Sequence, residues 1–168
     1  MKTIILPGYS LHNKEWAEGL AESLKQKAEG EVVVHNWGHW KTGGKMSVVM
    51  EMAAIKREIG EAEFNIIGKS VGARMAIRVI AELREKVRKV ILCGVASISE
   101  GSKKAYKKAL SNLSSEKIIV FQNTDDPFVP YSKVREFMKV INPHINVTEK
   151  SRSDHQYPYP NDFQIFLS

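Results

Sequence analysis

Short apolar segments alternate with longer amphipathic segments along the whole chain. The short segments predict strands at 3–6, 32–35, 64–67, 90–93, 118–122 and 145–148. Most consist of β-branched or other apolar residues without strict polar alternation, which is typical of strands covered on both faces. The last segment is the most polar, and we expect it at the edge of a sheet.

The longer segments predict helices at 13–27, 47–59, 71–83, 102–113, 132–141 and 161–167. In the first of them Trp16, Leu20 and Leu24 recur four residues apart, as on one face of an amphipathic helix. The segment 71–83 is apolar on nearly every side, which indicates a helix packed deep against a sheet. Segments 102–113 and 132–141 each begin with a serine suited to a helix N-cap.

Strands that alternate with helices indicate βαβ units. We predict a single domain over residues 1–168, an α/β fold with a three-layer αβα sandwich and a doubly wound, mostly parallel sheet of six strands. Right-handed crossovers distribute the helices over both faces of such a sheet. Ligands of these folds bind outside the carboxyl ends of the strands, so functional residues are expected in the loops that follow the strands.

Length and composition agree with one globular domain: the chain has 168 residues, of which 43% are hydrophobic and 26% charged. The formal charge of +6 could attract nucleic acid, anionic lipid or an acidic substrate. The basic residues, however, alternate with acids or fall at helical surface spacing, without interleaved stacking aromatics. We therefore expect solvated helix faces, with no nucleic-acid partner and no membrane partner.

Cysteine usage and the amino terminus bear on location and cofactors. Cys93 is the only cysteine, so an intrachain disulfide and paired cysteine metal ligands are excluded. The amino-terminal apolar run is broken at Pro7–Gly8, which makes it too short for a signal-peptide core. No segment approaches the ~20 apolar residues of a membrane span. These features predict a cytoplasmic protein that needs no metal and no organic cofactor.

The loop after the third predicted strand reads Gly68-Lys69-Ser70-Val71-Gly72, a G-x-S-x-G sequence between an apolar strand and an apolar helix. In a nucleophile elbow the glycines permit a tight turn and the serine is held at its tip. A glycine-rich loop that binds phosphate at a helix N-terminus is the alternative. Neither G-x-x-x-x-G-K-[ST] nor G-x-G-x-x-G is present, so we favour Ser70 as a nucleophile.

A nucleophilic serine needs a histidine base, which in turn needs a carboxylate to orient it. Among the five histidines, His155 alone follows the last predicted strand, and we predict it as the base. For the acid we favour Asp126 after the fifth strand, because the following proline biases it towards an extended conformation. Asp125, Glu100 and Asp154 remain as alternatives.

An acyl-transfer intermediate also needs two donors for its oxyanion, usually backbone N–H groups. We predict Val71, which directly follows the nucleophile, and Tyr9 in the loop after the first strand. An aromatic pocket wall is predicted for Trp37, Trp40, Phe128 and Tyr157, with Tyr9 and Leu11 beside them. Such a wall favours an apolar acyl or alcohol group, although aromatic loop residues are also ordinary packing residues.

These motifs together resemble the α/β-hydrolases, in particular the small cap-less YdeN-like and retinoblastoma-binding serine hydrolases. The resemblance covers essentially the whole chain, from Ile5-Leu6-Pro7-Gly8-Tyr9 through Gly68–Gly72 to Asp126-Pro127 and His155. The resemblance implies the roles already predicted from the residues: Ser70 as nucleophile, Asp126 as acid and His155 as base. It also implies that Tyr9 and Val71 supply the oxyanion amides. Lys69 stands where many relatives have histidine, and Asp154 precedes the base where glycine is common. Gly68-Lys69-Ser70 with Arg74-Met75-Ala76 also resembles a dienelactone-hydrolase-like branch.

The expected activity is hydrolysis of a small-molecule carboxylic ester, or of a thioester or activated amide, through an acyl-Ser70 intermediate. The alternative is a hydrolase-like module that binds a protein or ligand without turnover. Only about two dozen residues separate the fourth and fifth predicted strands, where larger α/β-hydrolases insert a lid. We therefore expect an open site without a cap. The oligomeric state does not follow from the sequence.

Overall fold

The computed structural model describes residues 1–26 and 30–168, and it arranges the predicted strands in one sheet. The strands are β1 (Lys2–Leu6), β2 (Glu31–Val34), β3 (Phe64–Lys69), β4 (Val87–Cys93), β5 (Ile118–Asn123) and β6 (Asn146–Lys150). Each predicted strand is found within a few residues of its predicted bounds. β3 and β5 run further towards their carboxyl ends than predicted, so Lys69 and Asn123 are buried strand residues.

In the described part of the chain, seven α-helices connect or follow these strands. They are α1 (Asn13–Lys25), α2 (His39–Thr42), α3 (Val48–Ile59), α4 (Val71–Leu83), α5 (Glu100–Leu110), α6 (Tyr131–Ile141) and α7 (Pro160–Leu167). Lys27, the predicted end of the first helix, lies outside the described residues. The short helix α2 was not predicted, because four residues are too few to display a helical period.

Two helix starts differ from the prediction. α5 begins at Glu100 because the Ser99 hydroxyl accepts a hydrogen bond from the backbone N–H of Ser102, so Ser99 and not Ser102 is the N-cap. α6 begins at Tyr131, directly after Pro130, and Ser132 lies inside its first turn. Prolines are common at helix starts because the missing N–H would have no partner there.

The sheet is parallel throughout, with the strand order β2-β1-β3-β4-β5-β6. β6 pairs only with β5 and is the most exposed strand, which confirms the predicted edge position. The chain moves to one side from β1 to β2 and then to the other side of β1 with β3. The switch point, where parallel α/β sheets bind ligands, therefore lies between the carboxyl ends of β1 and β3.

Two apolar layers cover the two faces of the sheet. One contains buried residues of α3, α4, α5 and α6, such as Ile55, Met75 and Phe137. The other is formed by α1 and α7, with Leu20 and Phe163 against the strands. This is the predicted three-layer αβα sandwich, doubly wound around one sheet.

The segment between β4 and β5 contains α5 and a short 3₁₀ turn at Ser115–Lys117, and no further domain is inserted there. The fold is thus a minimal one without a cap. Among residues 1–26 and 30–168, no helix has the length and apolar character needed to cross a bilayer.

Candidate active site

Ser70 lies at the turn between β3 and α4, with the backbone angles φ 56° and ψ −115°. A positive φ is unfavourable for residues with a side chain and costs about 1–3 kcal/mol. The turn is held by the Ser70 N–H, which donates to the carbonyl of Cys93 at 3.0 Å, and by its carbonyl, which accepts from Ala73 N at 3.0 Å. This is the geometry expected of a nucleophile elbow.

The two glycines of the motif are required by close backbone contacts. A Cβ on Gly72 would overlap the carbonyl oxygen of Leu6, and a Cβ on Gly68 would lie 2.6 Å from the carbonyl oxygen of Gly72. The first turn of α4 therefore packs directly on the end of β1. That packing brings the loop after β1 next to Ser70.

Asp126 follows β5, and its carboxylate is almost completely satisfied by hydrogen bonds. Its Oδ1 accepts from the backbone N–H groups of Phe128 at 2.9 Å and Val129 at 3.4 Å. Its Oδ2 accepts from the Tyr157 hydroxyl at 2.6 Å and pairs with His155 Nδ1 at 2.6 Å. Burial alone would raise the pKa of Asp126, but the hydrogen bonds from His155, Tyr157 and Phe128 lower it below its ordinary value.

The ionised Asp126 fixes the orientation of the His155 ring. Because Nδ1 donates to the carboxylate, Nε2 is the nitrogen left to act as a base. The ring also packs on Phe128, with centroids 4.5 Å apart, and edge-on to Tyr157 at 5.8 Å. Its Nε2 atom is buried and has no hydrogen-bond partner within residues 1–26 and 30–168.

Ser70 and His155 lie next to consecutive residues at the carboxyl end of β4, Cys93 and Gly94 respectively. Ser70 N–H is bonded to Cys93, and a Cβ on the next residue, Gly94, would lie 2.8 Å from His155 Cε1. Gly94 has a φ of +61°, so both conformation and space require glycine there. The Ser70 hydroxyl forms no hydrogen bond with Nε2 in this structure. Catalytic hydrogen bonds are often long without substrate and tighten in its complex.

Side chains that follow β2 donate hydrogen bonds to the backbone carbonyls of the loop after β1. Trp37 Nε1 donates to the carbonyls of Pro7 at 3.2 Å and Gly8 at 3.1 Å. His39 Nε2 and Trp40 Nε1 both lie 2.8 Å from the carbonyl oxygen of Tyr9, which accepts a hydrogen bond from each. With these carbonyls fixed, the peptide groups of the loop are preorganised at the carboxyl end of β1.

Val71 N–H is the first backbone donor of α4. The first N–H groups of an α-helix have no intrahelical partner, and the helix dipole makes this end attractive to negative charge. The predicted oxyanion residues Tyr9 and Val71 thus flank the switch point, one at the carboxyl end of each neighbouring strand.

Lys69 is an unexpected buried cation beside Ser70, with 2% of its surface exposed. Its Nζ donates to Asn13 Oδ1 at 2.7 Å and lies 5.2 Å from the centre of the Trp16 ring. Asn13 in turn donates to the carbonyl of Ser10 at 3.1 Å. Burial lowers the pKa of Lys69. The side chain therefore links the elbow with the loop after β1.

A second buried ionisable cluster supports the segment after β2. His35 pairs through Nδ1 with Glu58 at 2.8 Å and through Nε2 with Glu51 at 2.9 Å, and Glu51 also accepts from Gly38 N at 2.8 Å. Burial opposes the charged imidazolium, but the two carboxylates outweigh this and raise the pKa of His35. The cluster fixes the turn that carries Trp37.

The four residues predicted to form the pocket wall divide into two pairs. Phe128 is 64% exposed above His155, and Trp40 is partly buried beside Tyr9. Trp37 and Tyr157 are fully buried. They therefore offer no surface to a substrate. Trp37 supports the loop after β1, and Tyr157 supports Asp126. Tyr9 and Leu11, 49% and 57% exposed, also lie at this edge.

The alternative acids are engaged elsewhere. Asp125 is an exposed turn residue whose N–H donates to the carbonyl of Arg152. Glu100 pairs with Lys103 at the start of α5, and Asp154 pairs with Arg152. Asp126 is the carboxylate that contacts His155.

Two buried polar residues at the end of β5 were missed by the sequence reasoning. Gln122 bonds to Val95 N at 2.9 Å and to the carbonyl of Val129 at 2.6 Å. The Asn123 amide donates to the carbonyls of Asp154 and Gln156, both at 2.8 Å. These bonds position the loop that carries Asp126 and the loop that carries His155. Polar residues at the end of an otherwise apolar strand were the available signal.

Comparison with known proteins rests on three-dimensional similarity, because no family model and no curated sequence matches the chain. An α/β serine hydrolase homologue from Coxiella burnetii superposes with a TM-score of 0.72 at 21% identity, covering 99% of this chain and 83% of that one. An α/β serine hydrolase without a lid from Xanthomonas campestris gives 0.69 at 17%, covering 99% and 78%. The ydeN gene product of B. subtilis gives 0.67 at 14%, covering 99% and 98%.

The chain therefore has the α/β-hydrolase fold, in the minimal form without a cap. The resemblance noted in the sequence is confirmed at the level of the fold. At these identities the superpositions establish the fold only. The substrate and the roles of individual residues have to be inferred from the geometry of the site.

Proposed function

We propose that the protein is a serine hydrolase that cleaves a small-molecule carboxylic ester, or a related thioester or activated amide. The carrying observation is the hydrogen-bonded Asp126–His155 pair, whose free Nε2 lies in the loop cluster that also contains the Ser70 elbow. An ordered Ser-Asp-His set in the loops at the carboxyl edge of the sheet has no function in simple binding. No metal or organic cofactor takes part in this mechanism.

In the first half of the reaction, Ser70 Oγ attacks the carbonyl carbon of the ester while His155 Nε2 takes the hydroxyl proton. The tetrahedral intermediate collapses when the bond to the leaving oxygen breaks and His155 returns the proton to that oxygen. Asp126 holds the ring in the reactive tautomer and stabilises the imidazolium. The product of this half is an alcohol and an acyl-Ser70.

In the second half, water attacks the acyl carbonyl while His155 Nε2 takes a proton from the water. The bond between the acyl carbon and Ser70 Oγ then breaks, and the proton passes to Ser70. In both halves the oxyanion is stabilised by the N–H groups of Val71 and Tyr9, which are fixed before substrate binds. One such donor contributes about 10²–10³ in kcat in known hydrolases.

The surroundings of the site support an open, partly apolar entrance. Phe128, Tyr9 and Leu11 are exposed at this edge of the sheet, and no cap covers them. Substrate selection then depends on loop side chains. We also propose a cytoplasmic location, which the buried free thiol of Cys93 fits.

The proposal is tested by hydrolysis of 4-nitrophenyl butyrate by the wild type and by Ser70→Ala and His155→Ala. We expect turnover that falls by at least about 10³-fold in either variant, because the two residues act as one unit. His144→Ala, at the opposite end of the sheet, is the matched histidine control and should retain activity. Turnover that survives in Ser70→Ala would overturn the mechanism, and a folded wild type without turnover would favour a binding module.

A further inference from the structure

A cavity of about 550 Å³ lies between α4 and α5, outside the residues assigned to catalysis. We call it the α4–α5 groove. Arg74 and Ser97 line it, as do Arg78 and Lys108, which lie further along the two helices. The volume is within the range of small-molecule sites, which is about 300–1,000 Å³.

The groove begins next to the catalytic loops. Arg74 lies in the first turn of α4, four residues after Ser70 and about 6 Å along the helix axis from it, and helical side chains lean towards the helix N-terminus. Ser97 is three residues after Gly94, on which the His155 ring packs. The end of the groove at Arg74 therefore lies about one helical turn from Ser70.

The charges of the groove are unbalanced. Arg74, Arg78 and Lys108 line it, and none of them forms a salt bridge with a residue of the described chain. The one lining carboxylate, Glu82, is occupied by Lys56 of α3 at 2.7 Å. Three cations around one cavity, with their acid already neutralised, favour an anionic ligand.

Hydroxyl groups add hydrogen-bonding capacity to the same walls. Ser102 Oγ lies 2.9 Å from Ser97 Oγ and 3.1 Å from Ser99 Oγ, so the three hydroxyls form a chain along the groove. The wall also contains Tyr106, which is 2% exposed and whose hydroxyl has no hydrogen-bond partner among the described residues. Buried hydroxyls without partners are uncommon in folded proteins.

The remaining lining is apolar, with Met52, Ile77, Ala81 and Ala105. A carbon chain can thus pass between the cations. The ligand that fits is a short aliphatic chain with a terminal anionic group.

From this arrangement we infer that the α4–α5 groove binds a carboxylate on the acyl part of the substrate ester. The inference rests on the proposed esterase function and names its substrate class, the half-esters of short dicarboxylic acids. We assign the anion to the acyl part because the leaving oxygen has to lie beside His155 Nε2. Arg74 and Arg78 then act as specificity residues.

Two ester probes of equal chain length test the inference, namely mono(4-nitrophenyl) glutarate and 4-nitrophenyl valerate. They differ only in a terminal carboxylate in place of a methyl group. We expect the wild type to prefer the glutarate in kcat/KM by about tenfold or more, a ratio equivalent to about 1.4 kcal/mol. In Arg74→Gln/Arg78→Gln the ratio should fall to about one, whereas the matched control Arg135→Gln, on α6, should keep the wild-type ratio.

The ratio of the two kcat/KM values is measured on the same enzyme sample, so it does not depend on how much of a variant is folded. A wild type that prefers the valerate, or a double variant that keeps the wild-type ratio, would overturn the inference. In either case, turnover of the valerate that depends on Ser70 would still support the proposed function. If neither ester is cleaved, the proposed function fails, and the groove is tested directly by calorimetric titration of glutarate into Ser70→Ala. Binding weakened by Arg74→Gln/Arg78→Gln supports an anion site, and no binding rejects it.

Discussion

Ser70 combines a strained backbone with the position of the proposed nucleophile. Its φ of 56° is maintained by the bonds to Cys93 and Ala73 and by the tight packing of α4 on β1. Glycine adopts such angles without the steric cost that a Cβ imposes. The backbone strain at this position therefore arises because Ser70 has a side chain, and the proposed chemistry needs that side chain as the nucleophile.

We expect Ser70→Gly to be more stable than Ser70→Ala by about 1 kcal/mol, because only alanine retains the Cβ at a positive φ. Both variants should lack esterase activity. The free energies of unfolding in urea measure the difference. Equal stabilities, or a less stable glycine variant, would show that the elbow is not strained at this residue.

At the residue scale, the sequence allowed the contact between Asp126 and His155 to be predicted, because each follows a strand and carries the required group. The contacts of Tyr157 could not be predicted in this way. The sequence predicts Tyr157, two positions after His155, as part of the pocket wall, whereas its hydroxyl donates to Asp126 at 2.6 Å. The direction of a loop side chain depends on packing around it, which residue order does not reveal.

At the element scale, the loops after β1 and β3 are coupled by direct backbone contact at Gly72. Gly72→Ala would place a methyl group on the carbonyl of Leu6, and backbone on both sides leaves it no room. We expect a loss of about 3 kcal/mol or more in the free energy of unfolding, together with loss of activity.

Gly19→Ala on α1 is the matched control for Gly72→Ala. No atom of residues 1–26 and 30–168 lies within 4 Å of a Cβ at Gly19, so alanine should raise helix stability by about 0.5–1 kcal/mol. Urea unfolding of the two variants measures both effects. A Gly72→Ala protein as stable as the wild type would contradict the packing described for the elbow.

The segment after β2 depends on the protonation of His35. The paired carboxylates raise its pKa in the folded state, so the imidazolium stabilises the fold below the ordinary pKa of 6.5. This contribution is lost as the pH rises through the higher folded pKa. As the pH rises above 6.5, the free energy of unfolding should therefore decline more for the wild type than for His35→Gln.

Urea unfolding between about pH 6 and pH 9 measures this decline, with the exposed His144→Gln as control. The stability difference between wild type and His35→Gln should be largest at the acidic end, and His144→Gln should follow the wild type throughout. A difference that grows with pH would show that His35 is buried in the neutral form.

Helix bounds illustrate what the sequence can and cannot predict about elements. The bounds of α4 agree with the prediction, because the apolar run starts at Val71, directly after the Ser70 turn, and ends at Leu83. The start of α5 was predicted too late, because Ser99 and Ser102 both suit an N-cap and only Ser99 has an extended backbone there. Where two caps compete, tertiary packing decides.

At the scale of the whole molecule, the alternation of apolar and amphipathic segments predicts the layers. The polarity of the last strand segment predicts the edge strand, and the short spacing between the fourth and fifth strands predicts the absence of a cap. The buried ionisable residues were not predicted, since Lys69, His35 and Glu51 look like surface residues in sequence. Lys69 is linked through Asn13 to the loop after β1, and His35 and Glu51 support the segment after β2. Their partners are distant in the chain and come together only in the fold.

The central claim, that Ser70 is a nucleophile activated by His155 and Asp126, is tested most directly by labelling the folded protein with a fluorophosphonate and mapping the adduct by mass spectrometry. We expect one adduct, on Ser70, that is absent after unfolding in urea and strongly reduced in His155→Ala. A folded protein that leaves Ser70 unlabelled, or one labelled equally well in His155→Ala, would contradict the mechanism.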